Sequence, residues 1–152
     1  MNDITLNTPS KNELLDDLEV AMAKMPRVEC KVVDRFTEGM YIRECQIPAG
    51  TMLTSMVHKT QHPFVLSQGS IKVTSDNEGS VIYEAPYTGI TEPNTRRALH
   101  ALTDVIWTTF HVTNETNVAK IAEQILEPKD MSHILEATGK EIPCGYTKSL
   151  TE

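Results

Sequence analysis

Between Val28 and Val112 the chain is written in short runs rich in Val, Ile, Thr and Tyr, each ended by turn residues. This rhythm limits the fold more than any other feature. The runs are VECKVVDRF, MYIRECQI, TMLTSMVH, PFVLSQ, SIKVTS, SVIYEA, YTGITE, RRALHAL and VIWTTFHV, with turns such as IPAG, DNEG and EPNT between them. β-Branched and aromatic side chains pack well on a pleated surface, whereas Gly, Pro and Asn favour turns. Eight or nine short strands at near-regular spacing predict an antiparallel sandwich or barrel.

Helical periodicity is confined to the two ends. In SKNELLDDLEVAMAKMP, the residues Leu14, Leu15, Leu18, Met22 and Met25 recur at helical spacing, Ser10 and Glu13 form a capping-box pattern, and Pro26 stops the run. The spacing predicts a helix over 11–24 whose apolar stripe packs on the outside of a sheet or on a second subunit. After Val112, NVAKIAEQIL places Val118, Ile121, Ala122 and Ile125 on one stripe, with Asn114 or Thr116 as cap. Pro128 separates it from MSHILEATG, which Gly139 terminates, and an irregular tail, EIPCGYTKSLTE, follows. The organisation is one globular domain: a helical arm over 1–27, the β-barrel over 28–113, and C-terminal helices and tail over 114–152.

At 152 residues, with 39% hydrophobic and 23% charged residues, the chain can bury a core of its own. A net charge of −7 argues against a nucleic-acid polymer or an anionic membrane as partner, since both select basic surfaces. It leaves room for a small anion held by a few local arginines. No apolar run approaches the ~18 residues of a membrane span, and MNDITLNTPSKNELL lacks the basic and apolar blocks of a secretory signal. The expected location is the cytoplasm. Cys30, Cys45 and Cys144 are odd in number and lie in no CxxC pair, so reduced thiols are expected rather than a disulfide framework.

The chemistry concentrates in residues 50–69, GTMLTSMVHKTQHPFVLSQG. Alternation puts Met52, Thr54, Met56 and His58 on one face of a strand, and puts Phe64 and Leu66 on the face of His62. Two adjacent antiparallel strands would aim His58 and His62 into one space. The stretch resembles the first motif of the cupin superfamily, which runs Gly, five residues, His, one residue, His, three or four residues, Glu, six residues, Gly. Here Gly50, Met56, His58, His62 and Gly69 occupy those places, with Met56 for the first histidine and His62 for the glutamate. The second motif is matched more loosely by EPNTRRALH around Pro93, with Thr95 for a glycine and Ala98 for the histidine. His100 follows two residues on, on the same face as Ala98.

The resemblance covers about residues 28–112. It implies a mainly β fold: a single cupin-type antiparallel β-barrel or jelly roll, with an N-terminal helix and one or two C-terminal helices. APYTGITEPNTRRALHALTDVIWTTFHV is also similar to small cupin proteins of tailed bacteriophages, which implies a host-cell cytoplasm.

The family's metal is held by three histidines and a glutamate. Here Ala98 offers no donor, and a thioether at Met56 is a poor ligand for hard or borderline ions. His58, His62 and His100 could still form a three-imidazole site for Zn, Fe, Mn or Ni if His100 reaches across. The simpler expectation is hydrogen-bonded pocket histidines, with His111 and His133 on the surface or capping helices. Arg96 and Arg97 open the strand after EPNT, where guanidinium groups could trap a carboxylate or phosphate. Alternation should turn one of them to solvent, toward Glu84 or Glu92. Met56, Phe64 and Trp107 complete the expected ligand-binding wall.

No nucleophile motif is present. The leading expectation is a binding protein whose barrel captures a small anionic or nucleotide-like ligand. The alternatives are a metal-dependent isomerase, oxygenase or hydrolase using His58, His62 and His100, and an oligomeric accessory protein with a vestigial pocket. A homodimer or higher homo-oligomer is expected in each case.

Overall fold

Nine strands and three helices make up the computed structural model, which describes residues 11–75 and 79–139. Helix α1 spans Lys11–Ala23. The strands are β1 (Lys31–Thr37), β2 (Met40–Ile47), β3 (Met52–Thr54), β4 (His62–Gln68), β5 (Ser70–Ser75), β6 (Gly79–Glu84), β7 (Tyr87–Thr91), β8 (Arg97–Ala101) and β9 (Val105–Val112). Helices α2 (Val118–Ile125) and α3 (Ser132–Thr138) close the chain. The Ser10 cap, most of the DNEG turn and the tail with Cys144 lie outside the described residues. No helix among the described residues is long and apolar enough to cross a membrane.

The strands form two antiparallel sheets, β1-β2-β9-β4-β7 and β3-β8-β5-β6, in the arrangement of a cupin jelly roll. Alternation decides which side chains meet between them. Leu66, Ile71, Ala101 and Val105 are almost fully buried there, with Cys45, Ile47, Leu53, Phe64, Val73, Leu99 and Trp107 around them. Burying one such large side chain contributes about 1.5–3 kcal/mol before conformational entropy is subtracted. Gly89 on β7 leaves room for the core: a Cβ there would lie 2.5 Å from the Phe64 ring. Gly69 takes the β4–β5 turn at φ +86°, where a Cβ would also meet the Asp104 carbonyl oxygen at 2.1 Å.

The segment TMLTSMVH departs from expectation. Only Met52–Thr54 pair as a strand, against β8. Beyond Thr54 the backbone finds other partners. Ser55 N donates to the Arg97 carbonyl (2.8 Å), and the Ser55 hydroxyl accepts from Arg97 N (3.0 Å). Val57 to Lys59 then pair with the chain leaving α2: Glu127 N to Val57 O at 2.8 Å, Lys59 N to Ile125 O at 2.7 Å, and a bridge between His58 and Leu126.

Helix α2 therefore packs against β2 and leads into the segment that holds His58. Ile121 and Ile125 sit on Tyr41 of β2, with Leu126 beside them. Its cap is Asn117, whose side chain accepts from Lys120 N at 3.1 Å, rather than the expected Asn114 or Thr116. Gly139 ends α3 in the left-handed conformation, as its position in the sequence implies.

Helices α1 and α3 cover the outside of β3 and the start of β8. Leu15, Met22 and Ile134 bury their side chains there. Glu19, fully buried on the same face of α1, binds Arg96 just before β8 and Lys129 (2.8 Å), and accepts from the Thr54 hydroxyl at 3.0 Å. Arg96 also pairs with Asp16 at 2.7 Å. Burial alone would raise the Glu19 carboxyl, but Lys129 and Arg96 outweigh it and the group is held below the usual range.

Candidate metal centre

His62 begins β4 and shares an inward face with Phe64 and Leu66. His111 stands near the end of β9, inward with Trp107 and Val105. The β4–β9 register pairs Phe64 with Thr109, so continuing it by two residues sets His62 beside His111. His58 arrives from the segment tied to Leu126 and completes the group. Ring centroids are 4.2 Å apart for His58–His62, 4.7 Å for His62–His111 and 5.4 Å for the stacked His58–His111 pair. One nitrogen from each of the three rings lies within 4.8 Å of the others.

The surroundings keep these imidazoles neutral. Burial is the main cause in each case, lowering His58 to about 3, His62 to about 4 and His111 to about 3. Neighbouring imidazoles add to it for His58 and His111, and the positive charge of Arg97 acts on His58 and His62 and that of Arg43 on His111. His62 and His111 are 2% and 3% exposed. The Thr60 backbone opposes the His62 shift, yet no contact of ordinary hydrogen-bond geometry reaches either His62 ring nitrogen among the described residues. In His111, Nε2 is shared with the Thr109 hydroxyl at 3.0 Å while the buried Nδ1 has no such partner. Tyr41 stacks on His111 at 5.8 Å. Burial and the hydrogen bond from its hydroxyl to Asp34 push the Tyr41 phenol up to about 12.

The remaining expected site residues separate into inner and outer groups. Phe64 and Trp107 line the interior and stack at 4.2 Å. Arg97 is inward and buried, its guanidinium 5.6 Å from the Trp107 ring and 5.9 Å from Phe64. Met56 is half-buried on the irregular segment before His58, and its backbone accepts a hydrogen bond from that ring.

His100 does not join His58 and His62. Arg97, Leu99 and Ala101 take the inner face of β8, so Ala98 and His100 face outward, where His100 pairs across the sheet with Met52 and Lys72. His111, expected at the surface, is the third imidazole instead. Arg96 also lies outside the barrel, with Glu19 and Asp16 rather than with Glu84 or Glu92. His133 sits beside the same carboxylates, 3.4 Å from Glu19 and 3.6 Å from Asp16. Those acids already serve Arg96 and Lys129, so this second group is a structural clamp.

The signal for His111 in the sequence was incomplete. In VIWTTFHV it shares the alternation of Val105, Trp107 and Thr109, but the opposite face carries Ile106, Phe110 and Val112, so the pattern alone did not say which face turns inward.

No protein-family model and no curated protein sequence matches the chain. Solved structures do share its fold. Ectoine synthase from P. lautus aligns with TM-score 0.53 at 9% identity, over 66% of this chain and 75% of that one. Salicylate 1,2-dioxygenase from Pseudoaminobacter salicylatoxidans, in its adduct with gentisate, aligns with TM-score 0.51 at 14% identity, over 74% of this chain and 32% of that one. A protein with a double-stranded β-helix domain from Klebsiella pneumoniae aligns with TM-score 0.50 at 14% identity, over 64% and 90%. The present chain thus spans about a third of the dioxygenase. At these identities the likeness shows the fold alone, a cupin-type jelly roll, which enzymes and a protein named only by its double-stranded β-helix domain share.

The donor set fits a transition-metal ion. Neutral imidazoles are the form that coordinates, and buried ring nitrogens without hydrogen bonds are costly unless something binds them. Two metal–nitrogen bonds of about 2.1 Å set their nitrogens about 3.4 Å apart at a tetrahedral centre, so side-chain rotations would have to draw together nitrogens now within 4.8 Å. Three imidazoles suit zinc or Fe(II) and leave coordination positions open. A bound ion would supply a Lewis-acidic anchor for a ligand oxygen. The protein would supply the neutral donors and the orientation of His111 by Thr109.

Proposed function

We propose that this chain is a metal-binding jelly-roll protein that captures a small molecule at a His58–His62–His111 centre. The observation that carries this reading is the convergence of three buried, neutral imidazoles from separate parts of the chain. Zinc or Fe(II) suits the donors best, with Mn and Ni as weaker fits for an all-imidazole set. Capture is favoured over turnover because the charged groups acting on the triad are Arg97 and Arg43, and no carboxylate among the described residues acts on it as a proton carrier. The chain would work as a homodimer or higher homo-oligomer.

Metal analysis of protein purified without an affinity tag tests the centre. One equivalent of a transition metal is expected, lost in His58→Ala, His62→Ala and His111→Ala and kept in His100→Ala. Metal retained in His111→Ala, or no uptake by chelator-stripped protein offered zinc or Fe(II), would overturn the assignment.

A further inference from the structure

Two of the three imidazoles stand on regular strands and one does not. His62 opens β4 and His111 lies in β9, both within the five-stranded sheet. His58 lies between β3 and β4, outside both sheets. Its place is set by main-chain hydrogen bonds from elsewhere in the chain. Glu127 N donates to the Val57 carbonyl at 2.8 Å, and Lys59 N donates to the Ile125 carbonyl at 2.7 Å. The chain leaving α2 thus grips the residues on both sides of His58. Asn94 N donates to the His58 carbonyl itself at 2.9 Å. The Lys59 ammonium adds a contact to the Glu123 carbonyl, within α2, at 3.3 Å. Most of these anchors come from α2 and its exit.

Helix α2 is held in turn by Ile121 and Ile125 on Tyr41, and Tyr41 stacks on His111 with ring centroids 5.8 Å apart. The helix therefore reaches the centre twice, through the main chain at His58 and through Tyr41 at His111. At eight residues it is too short to persist by itself in water and depends on this packing. If α2 left Tyr41, residues 57–59 would lose most of their anchors and His58 would no longer be held against His62 and His111. An ion bound by all three rings favours the docked helix, because only that state presents the third donor.

We propose that α2 is the positioning element of the metal centre: its docking on Tyr41 sets His58, so that metal binding and helix docking strengthen each other. This rests on the metal-centre reading above. Linkage makes the effect reciprocal, since whatever loosens α2 weakens metal binding by the factor by which metal tightens α2.

Full-length, chelator-stripped protein and zinc provide the test. Amide hydrogen exchange is followed with and without the ion, and zinc affinity is measured by competition with a chromophoric chelator. Zinc is expected to slow exchange across residues 118–127 as well as near the three histidines. In Ile121→Ala, which removes packing on Tyr41 without touching a ligand, zinc affinity should fall by at least about tenfold. Glu127→Pro deletes the donor to Val57, beside a Leu126 already extended at φ −110° and ψ 140°, and affinity should fall likewise. Ile134→Ala opens a comparable defect in α3, outside the group around Tyr41, and should leave zinc affinity unchanged. Unchanged affinity in Ile121→Ala, or equal losses in Ile121→Ala and Ile134→Ala, would overturn the proposal. So would zinc that protects the histidine segments and leaves residues 118–127 exchanging as before. That arm needs no variant and decides the matter if the variants do not fold. Each of these results would leave the metal centre standing. No zinc uptake by wild-type protein would remove the centre and the coupling together.

Discussion

An imidazole coordinates a metal only when it is neutral, and burial has set His58, His62 and His111 in that state well before neutral pH is reached. The same burial makes them acid-sensitive. Their folded values of about 3, 4 and 3 lie below the ordinary value near 6.5, so below pH ~6.5 the unfolded chain binds protons that the native protein refuses. Stability is therefore complete above that pH and declines as the pH falls toward 4. Each fully excluded imidazole contributes a slope of up to about 1.4 kcal/mol per pH unit. The urea midpoint of metal-free protein should drop between pH 7 and 5, and His111→Gln should flatten the drop. A midpoint that does not move over this range would contradict neutral burial. Met56 shows how far a single residue could be read from sequence: its place in the motif spacing was visible, whereas its seat on an irregular segment was not.

At the scale of elements, α1 carries a charge where its pattern announces apolar packing. Leu15, Glu19 and Met22 share the buried stripe, and Glu19 joins α1 to β8 through Arg96 and to the segment before α3 through Lys129. Removing the charge while keeping the shape, as in Glu19→Gln, leaves both cations partly uncompensated. Breaking a buried pair costs about 3–5 kcal/mol. Arg96 keeps Asp16 and both cations retain some solvent, so about 2–4 kcal/mol is expected here. Chemical denaturation measures it, and Lys129→Met added to Glu19→Gln should recover part of the loss. A change below about 0.5 kcal/mol would mean the cluster is merely tolerated. The span of α1 could be read from its period, but its partners could not, because Arg96 and Lys129 lie far away in sequence.

For the whole molecule, the five-stranded sheet turns an unusual face outward. The strand registers align Ile42 with Phe110 and Pro63 with Ile90, and β4 lies beside β9, so these four form one apolar row. Ile90 is 62% exposed and nearby Val112 is 86% exposed. A polar outer face would be usual for a solvated antiparallel sheet. If copies associate through this face, sedimentation at micromolar concentration should show a species larger than the monomer, and Ile90→Glu combined with Val112→Glu should shift it to the monomer. A wild-type monomer under those conditions would count against association.

Local pattern by itself determined most of the strand runs, their two-residue alternation and the flanking helices. These are short-range properties: β-propensity, turn chemistry and helical period act over a few residues. Only the tertiary structure decided which face of β8 and β9 turns inward, and so that His111 rather than His100 completes the triad. Ala98 and His100 could have packed inside as readily as Arg97 and Leu99 on pattern alone. The choice follows from strand order, from the chain after α2 capturing His58, and from α1 claiming Arg96, all of which depend on contacts between residues far apart in the chain.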